Sequence, residues 1–187
     1  MEMEQHQIRL IRSRRKSIAL EIRPEGLIVR APYRMPEAEI RRFLEKQRAW
    51  IDEKLAKLDL ARTQAESAGH LSSEELRALA DRALSYIPER VRYYAPLVGV
   101  TYGRITIRNQ RTRWGSCSAQ GNLNFNCLLM LTPPEVIDSV VVHELCHRKE
   151  LNHSKRFYAE VLRVFPDYWK WTAWLKENGR ALLLRME

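Results

Sequence analysis

The stretch Thr132-Pro133-Pro134-Glu135-Val136-Ile137-Asp138-Ser139-Val140-Val141-Val142-His143-Glu144-Leu145-Cys146-His147 decides the reading of this chain. Thr132 to Glu135 has the form of a capping box with proline at the first helical position, so it opens a helix. Val136, Ile137, Val140 and Val141 carry that helix into the HExxH pattern of His143 to His147, which therefore begins mid-helix. Residues four apart share a helix face, so the two imidazoles can converge on one ion. Glu144 stands about 100° round from His143, within reach of a bound water but outside the coordination positions. A catalytic zinc brings such a water to a pKa of about 7, and the carboxylate accepts its proton as it attacks.

HExxH fixes only three positions and also arises by chance. Here three of the five histidines of the chain fall between positions 143 and 153, on a helix with a Val-rich approach that suits a buried site. A catalytic zinc usually takes three protein ligands and keeps one open position. His153 is the first candidate for the third ligand. The helix must turn before it, and Asn152 is a suitable left-handed turn residue. Glu160, on the helix that follows, is the alternative. Cys146 lies on another side of the helix and reads as a small buried residue, and Cys117 and Cys127 lack the CxxC spacing of a second zinc site. The ion is expected to be a single Zn2+, with another divalent metal as the alternative.

Upstream, Ile8 to Ile11, Ser17 to Ile22 and Leu27 to Ala31 read as strands of an antiparallel meander, with Pro24-Glu25-Gly26 as a turn. Ile40, Phe43, Leu44, Trp50, Ile51, Leu55 and Leu58 then make one helical stripe. Thr63 to His70 has no periodicity and reads as a linker, which predicts a lobe of residues 1–70 and a second domain of residues 71–187. Ser72-Ser73-Glu74-Glu75 offers a capping box for a helix reaching about Tyr94, kinked or restarted at Pro88. Between Gly103 and Asn126 a strand and a hairpin alternate, turned at Ala119 to Asn122. Beyond the histidines, Ser154 to Phe165 and Asp167 to Glu177 read as helices, the second closed by Asn178-Gly179.

With 187 residues, 45% of them hydrophobic and 29% charged, the composition is that of a folded globular protein. Met1 to Gln7 shows no secretory pattern and no run reaches transmembrane length, so a cytoplasmic protein without a membrane partner is expected. Three cysteines fit reduced thiols there. The net charge of +9 is unevenly placed. From Arg90 to Pro134 there is no acidic residue, while Arg90, Arg92, Arg104, Arg108, Arg111 and Arg113 all lie within that stretch, a bias that suits an anionic substrate or a solvated basic surface.

The runs Arg113-Trp114-Gly115-Ser116-Cys117, Gly121, Asn124-Phe125-Asn126, His143 to His147 and Asn152-His153-Ser154, with Arg14-Arg15-Lys16-Ser17 and Trp50, resemble the YgjP-like metallopeptidases. The resemblance implies an α+β protein. A minimal zincin-type catalytic domain, related to the SprT and WLM groups, follows a small β-rich lobe and a long helix. It also supports His153 as third ligand. In metzincins, a more distant group with the same histidine spacing, a glycine stands where this chain has Glu150, so their tight turn is not carried over.

These readings lead to a zinc-dependent hydrolase, foremost a metallopeptidase with Glu144 as general base. A peptide could pair along the strand near Trp114 to Ser118, with Arg111, Arg113 and Tyr158 as polar groups for substrate or oxyanion. The resemblance also implies a metal-dependent pyrophosphatase acting on UTP, in which Arg111 and Arg113 would clamp phosphates. A third reading is a nucleic-acid-associated protein of the SprT kind. Glu144 speaks against a purely structural zinc, which would have four protein ligands.

Overall fold

The computed structural model describes residues 7–186. The chain divides into two compact units, Met1–Gln64 and Ala65–Glu187. In the first, strands β1 (Gln7–Ser13), β2 (Ala19–Arg23) and β3 (Gly26–Pro32) precede helix α1 (Glu37–Lys46). Helix α2 (Arg48–Ala68) follows and crosses the division between the units.

The meander is not formed. The strand order is β1-β3-β2, with β1 parallel to β3 and only the β2–β3 hairpin antiparallel. The physical reason is that β3 is the most buried of the three, with Leu27, Ile28, Val29 and Ala31 nearly inaccessible, while β1 leaves Ile8 and Leu10 about half exposed. A continuous apolar strand belongs in the centre, where neighbours satisfy both of its edges. Leu27, Val29 and Ala31 then pack with Ile40 of α1 and Ile51 and Leu55 of α2 into one small core.

The stripe read as one helix is broken at Gln47, whose backbone leaves helical geometry (φ −99°, ψ 6°); no proline or glycine in the sequence signals it. The expected linker from Thr63 is also absent. Thr63 to Ala68 contains no helix breaker, so α2 continues until Gly69.

The second unit contains helix α3 (Ser73–Val98), strands β4 (Ile105–Arg108), β5 (Gly115–Cys117) and β6 (Leu123–Asn126), and a 3₁₀ turn at Cys127–Leu131. Helices α4 (Pro134–Cys146), α5 (Lys155–Val164) and α6 (Tyr168–Leu184) complete it. The Ser72–Glu75 capping box forms as read, each side chain accepting from the other residue's backbone N–H. Pro88 does not restart α3, which runs without interruption from Ser73 to Val98. Ala83, Ile87 and Val91 are fully buried and hold the helix on the core, while the Leu84 carbonyl that loses its donor belongs to an exposed residue.

The sheet order is β4-β6-β5, β4 parallel and β5 antiparallel to β6, so the expected strand and hairpin are both present and β6 is the central strand. Helix α4 packs against α3, α5, α6 and β5. Val136, Ile137, Val140, Val141, Val142 and Leu145 are all buried, so this helix is apolar on every side because it is covered on every side. Its proposed capping box is not made. The Thr132 hydroxyl donates backwards to the Leu129 carbonyl, closing the 3₁₀ turn, and Pro133 takes the N-cap position without a side-chain cap.

Helix α6 runs through Asn178-Gly179 instead of ending there. A Cβ at position 179 would lie 3.0 Å from the Trp114 indole, so this glycine admits an aromatic ring and is not a cap. Among the described residues no helix is long and apolar enough to cross a membrane.

Asp138 is a buried carboxylate in the middle of α4, and its charge is matched. Arg90 donates to it twice, at 2.6 and 2.8 Å, and the Tyr94 hydroxyl donates at 3.1 Å. Asp138→Ala should cost about 3 kcal/mol by leaving Arg90 without its anion. Urea unfolding measures this, and a loss below about 0.5 kcal/mol would show the pair to be energetically idle.

Candidate metal centre

His143 and Glu144 occupy the last turns of α4, and His147 is its C-cap residue. The next backbone N–H groups, of Arg148, Lys149 and Glu150, pair with the carbonyls of Leu145 and Cys146, so the reversal is spread over several residues. Asn152 is therefore not left-handed, contrary to the sequence reading; no non-glycine residue among those described has positive φ. His153 follows at the N′ position of α5, whose N-cap, Ser154, accepts the Phe157 N–H at 3.3 Å. That cap places Phe157 beneath the site. Its fully buried ring lies 4.6–4.9 Å from the centres of all three imidazoles.

The Nε2 atom of His143 is 3.2 Å from that of His147 and 3.1 Å from that of His153, and one nitrogen from each ring falls within 4.8 Å of the others. The Nδ1 atoms of His147 and His143 have partners of their own. His147 Nδ1 donates to the Glu150 carbonyl at 3.1 Å, so its Nε2 carries the lone pair. His143 Nδ1 meets the Tyr168 hydroxyl at 2.7 Å. Burial, then the neighbouring His147 and His153, pushes His143 down to about 3, so it is neutral and able to act as a ligand. Burial also lowers His147, against the opposing effect of its bond to Glu150.

Lone pairs facing each other at 3.1–3.2 Å repel unless a proton or a metal ion lies between them. Two Zn–N bonds of about 2.0–2.1 Å at a tetrahedral angle put their nitrogens roughly 3.4 Å apart. The negative end of α4 also points here. This donor set fits a divalent metal.

Glu144 is 5% exposed, and burial pushes it up to about 8, with Arg113 acting in the opposite direction. Its carboxylate lies against Gly115. A Cβ at that position would be 2.6 Å from Oε1, so the glycine reserves the space the carboxylate uses. A cavity of about 260 Å³ opens beside them, lined by Arg113, Trp114, His143, Glu144, Tyr168 and Thr172 among others. The loop leading into β5 is held by Asn126, fully buried, whose amide donates to the carbonyls of Gln110 and Arg113.

The YgjP-like metallopeptidase domain matches residues 16–77 and 60–178. The chain belongs to this family. Two solved structures are also similar. The metallopeptidase zymogen of Pyrococcus abyssi abylysin is 21% identical, with 50% of this chain and 96% of that one covered and a TM-score of 0.45. The metallopeptidase zymogen of Methanocaldococcus jannaschii jannalysin is 20% identical, with 48% and 95% covered and a TM-score of 0.41. No curated protein matches the chain.

In this YgjP-like domain the structure brings together His143, His147, His153, Glu144 and Arg113, but not every residue the sequence suggested. Arg111 is exposed and is not part of the cavity lining. Tyr158 is not part of the lining either; its ring is 6.1 Å from that of His153 and 4.9 Å from that of Trp169. The arginines of the acid-free stretch do not gather at the site, since Arg90 is bound to Asp138 and Arg108 donates to Asn124. Cys127 and Cys146 are buried, and all three thiols are free. Tyr168 and Phe157 escaped the sequence reading. For Phe157 a signal existed, three residues after the capping Ser154; for Tyr168 there was none.

Glu160, the alternative ligand, is engaged elsewhere. Arg163 and then Lys149 hold its carboxyl down at about 2. A depressed carboxylate stabilises the fold fully above its unfolded value near 4.5, and the contribution disappears as pH falls towards 2. Glu160→Gln should therefore lower the melting temperature at pH 7, and the gap from wild type should close between pH 4.5 and 2, with metal affinity unchanged. Calorimetry across pH checks the first part; weakened metal binding would return Glu160 to the ligand set.

Proposed function

We propose that this chain is a zinc-dependent peptidase, with residues 71–187 as the catalytic domain and residues 1–70 as a separate lobe. The observation that carries this reading is the convergence of three imidazole nitrogens beside Glu144, with that carboxylate lodged against the first residue of an edge strand. His143, His147 and His153 would hold the ion, and three imidazoles suit zinc. When bound, the metal supplies Lewis acidity, acidifying water and polarising a carbonyl. The free thiols fit a reducing compartment such as the cytoplasm.

The chain's own residues do the rest. The Trp114 carbonyl accepts from Asn126 N–H, and Ser118 N–H donates to the Asn122 carbonyl, so 114, 116 and 118 pair towards β6. By antiparallel alternation, Gly115 and Cys117 turn their N–H and C=O groups outward. An extended peptide can add to that edge as a further strand, which brings a scissile amide alongside Glu144. Glu144 takes the proton of the attacking water and delivers it to the departing amine. Arg113, in the same cavity, and Tyr158, beside His153, are the donors we assign to the developing oxyanion.

Purified protein should contain one divalent ion and cleave unstructured peptides. Glu144→Gln should keep the ion and lose about 100-fold or more in turnover. Gly115→Ala, which leaves the carboxyl group in place chemically but displaces it, should also lose turnover with metal retained. Full activity in Glu144→Gln would remove the general-base assignment. Nucleoside triphosphate hydrolysis without peptide cleavage would move the substrate to phosphoanhydrides and leave the metal centre standing. His153→Ala should weaken metal binding at least about 10-fold.

A further inference from the structure

Two of the three imidazoles are anchored through Nδ1, and the anchors differ in kind. His147 leans on a backbone carbonyl, which can only accept and so leaves no choice of tautomer. His143 leans on Tyr168, a phenol that can donate or accept. Tyr168 begins α6, is 5% exposed, and holds its ring within 15° of the His143 plane at 6.0 Å between centres. One helical turn on, Thr172 lines the same cavity. The Nε2 atom of His143 is the one that faces His147 and His153, so it must carry the lone pair if it is to ligate; Nδ1 then carries the hydrogen, and the Tyr168 oxygen 2.7 Å away accepts it.

We infer that Tyr168 is a positioning residue for His143. It accepts the Nδ1–H, fixes that tautomer, and turns the Nε2 lone pair towards the other two histidines. The role rests on the metal reading above and adds to it a residue that touches neither metal nor substrate. The hydrogen bond on one ring nitrogen sets which atom of the other is free to ligate, and partners of this kind are typically worth 10–100-fold in metal affinity. Phe157 packs against the same ring but has no polar atom to make this choice.

The test compares wild type with Tyr168→Phe, which keeps the ring and removes the hydrogen-bond acceptor. Imidazole ¹⁵N signals of the metal-free proteins report the His143 tautomer, and zinc affinity is measured by competition with a chelator. Tyr168→Phe should lose the fixed Nδ1–H tautomer and bind zinc 10–100-fold more weakly. Metal-free wild type should itself show His143 with Nδ1–H and a bare Nε2, and this reading decides the matter if Tyr168→Phe does not fold; the opposite tautomer, with Tyr168 donating, overturns the inference. An unchanged tautomer with affinity within about twofold of wild type overturns the inference. A wild-type protein that binds no divalent ion would overturn the metal reading instead, while the tautomer in the metal-free protein still tells whether Tyr168 sets it.

Discussion

Burying a helix on all sides while ending it in ligating and titratable groups is the constraint on which the second unit depends. Helix α4 has Val136, Ile137, Val140, Val141, Val142 and Leu145 packed out of solvent, and the same dry surroundings extend to His143 and Glu144. Desolvation is what keeps His143 neutral and what raises Glu144. A hydrophobic helix thus prepares the chemistry as well as the fold, because it disfavours the charged state of each group until a cation arrives to compensate. An exposed HExxH helix would hold protonated histidines and an ionised glutamate at mildly acidic pH, and the ligands would compete with protons for the metal.

The surrounding elements can be read as ways of meeting that helix without adding unmatched polarity. Asp138 is admitted because Arg90 and Tyr94 surround it. Arg148, directly after His147, sends its guanidinium to the carbonyls of Thr101 and Ala119, so the end of α4 and the turn of the β5–β6 hairpin are fastened together. Asn126 satisfies two loop carbonyls from a fully buried position, and this holds the loop from which Arg113 and Gly115 approach Glu144. Asp138 is thus matched by side chains, while Arg148 and Asn126 serve backbone carbonyls.

What could be read from the sequence followed the range of the interaction responsible. The i, i+4 pair His143–His147, the Ser72 capping box and the hairpin around Gly121 are local, and they stand in the structure as read. His153 was reached from ligand type and closeness in sequence, and the family resemblance supported it. Non-local pairing was not legible: β1 lies parallel beside β3 because of how buried β3 is, and no period in β1 says so. Gly179 was taken for a helix end because its actual reason, the Trp114 ring, is far away in the chain. Thr132 has the letters of an N-cap, but its hydroxyl is bonded to the preceding turn. Tyr168 failed to stand out for the same reason as Gly179, since its partner belongs to another helix.

The third histidine illustrates how a non-local site can still be assembled from local rules. His153 is exposed and sits in a loop, where a side chain ordinarily samples many rotamers. Its backbone is limited because Ser154 must cap α5, and the helix so started puts Phe157 under the imidazoles as a common floor. The rings of His143 and His147 rest on the same phenyl group, so three histidines from two segments share one packing surface. Ligand geometry is then largely decided by apolar contact and helix capping before any metal bond forms. The exposed side of His153 leaves the centre open where a substrate must enter.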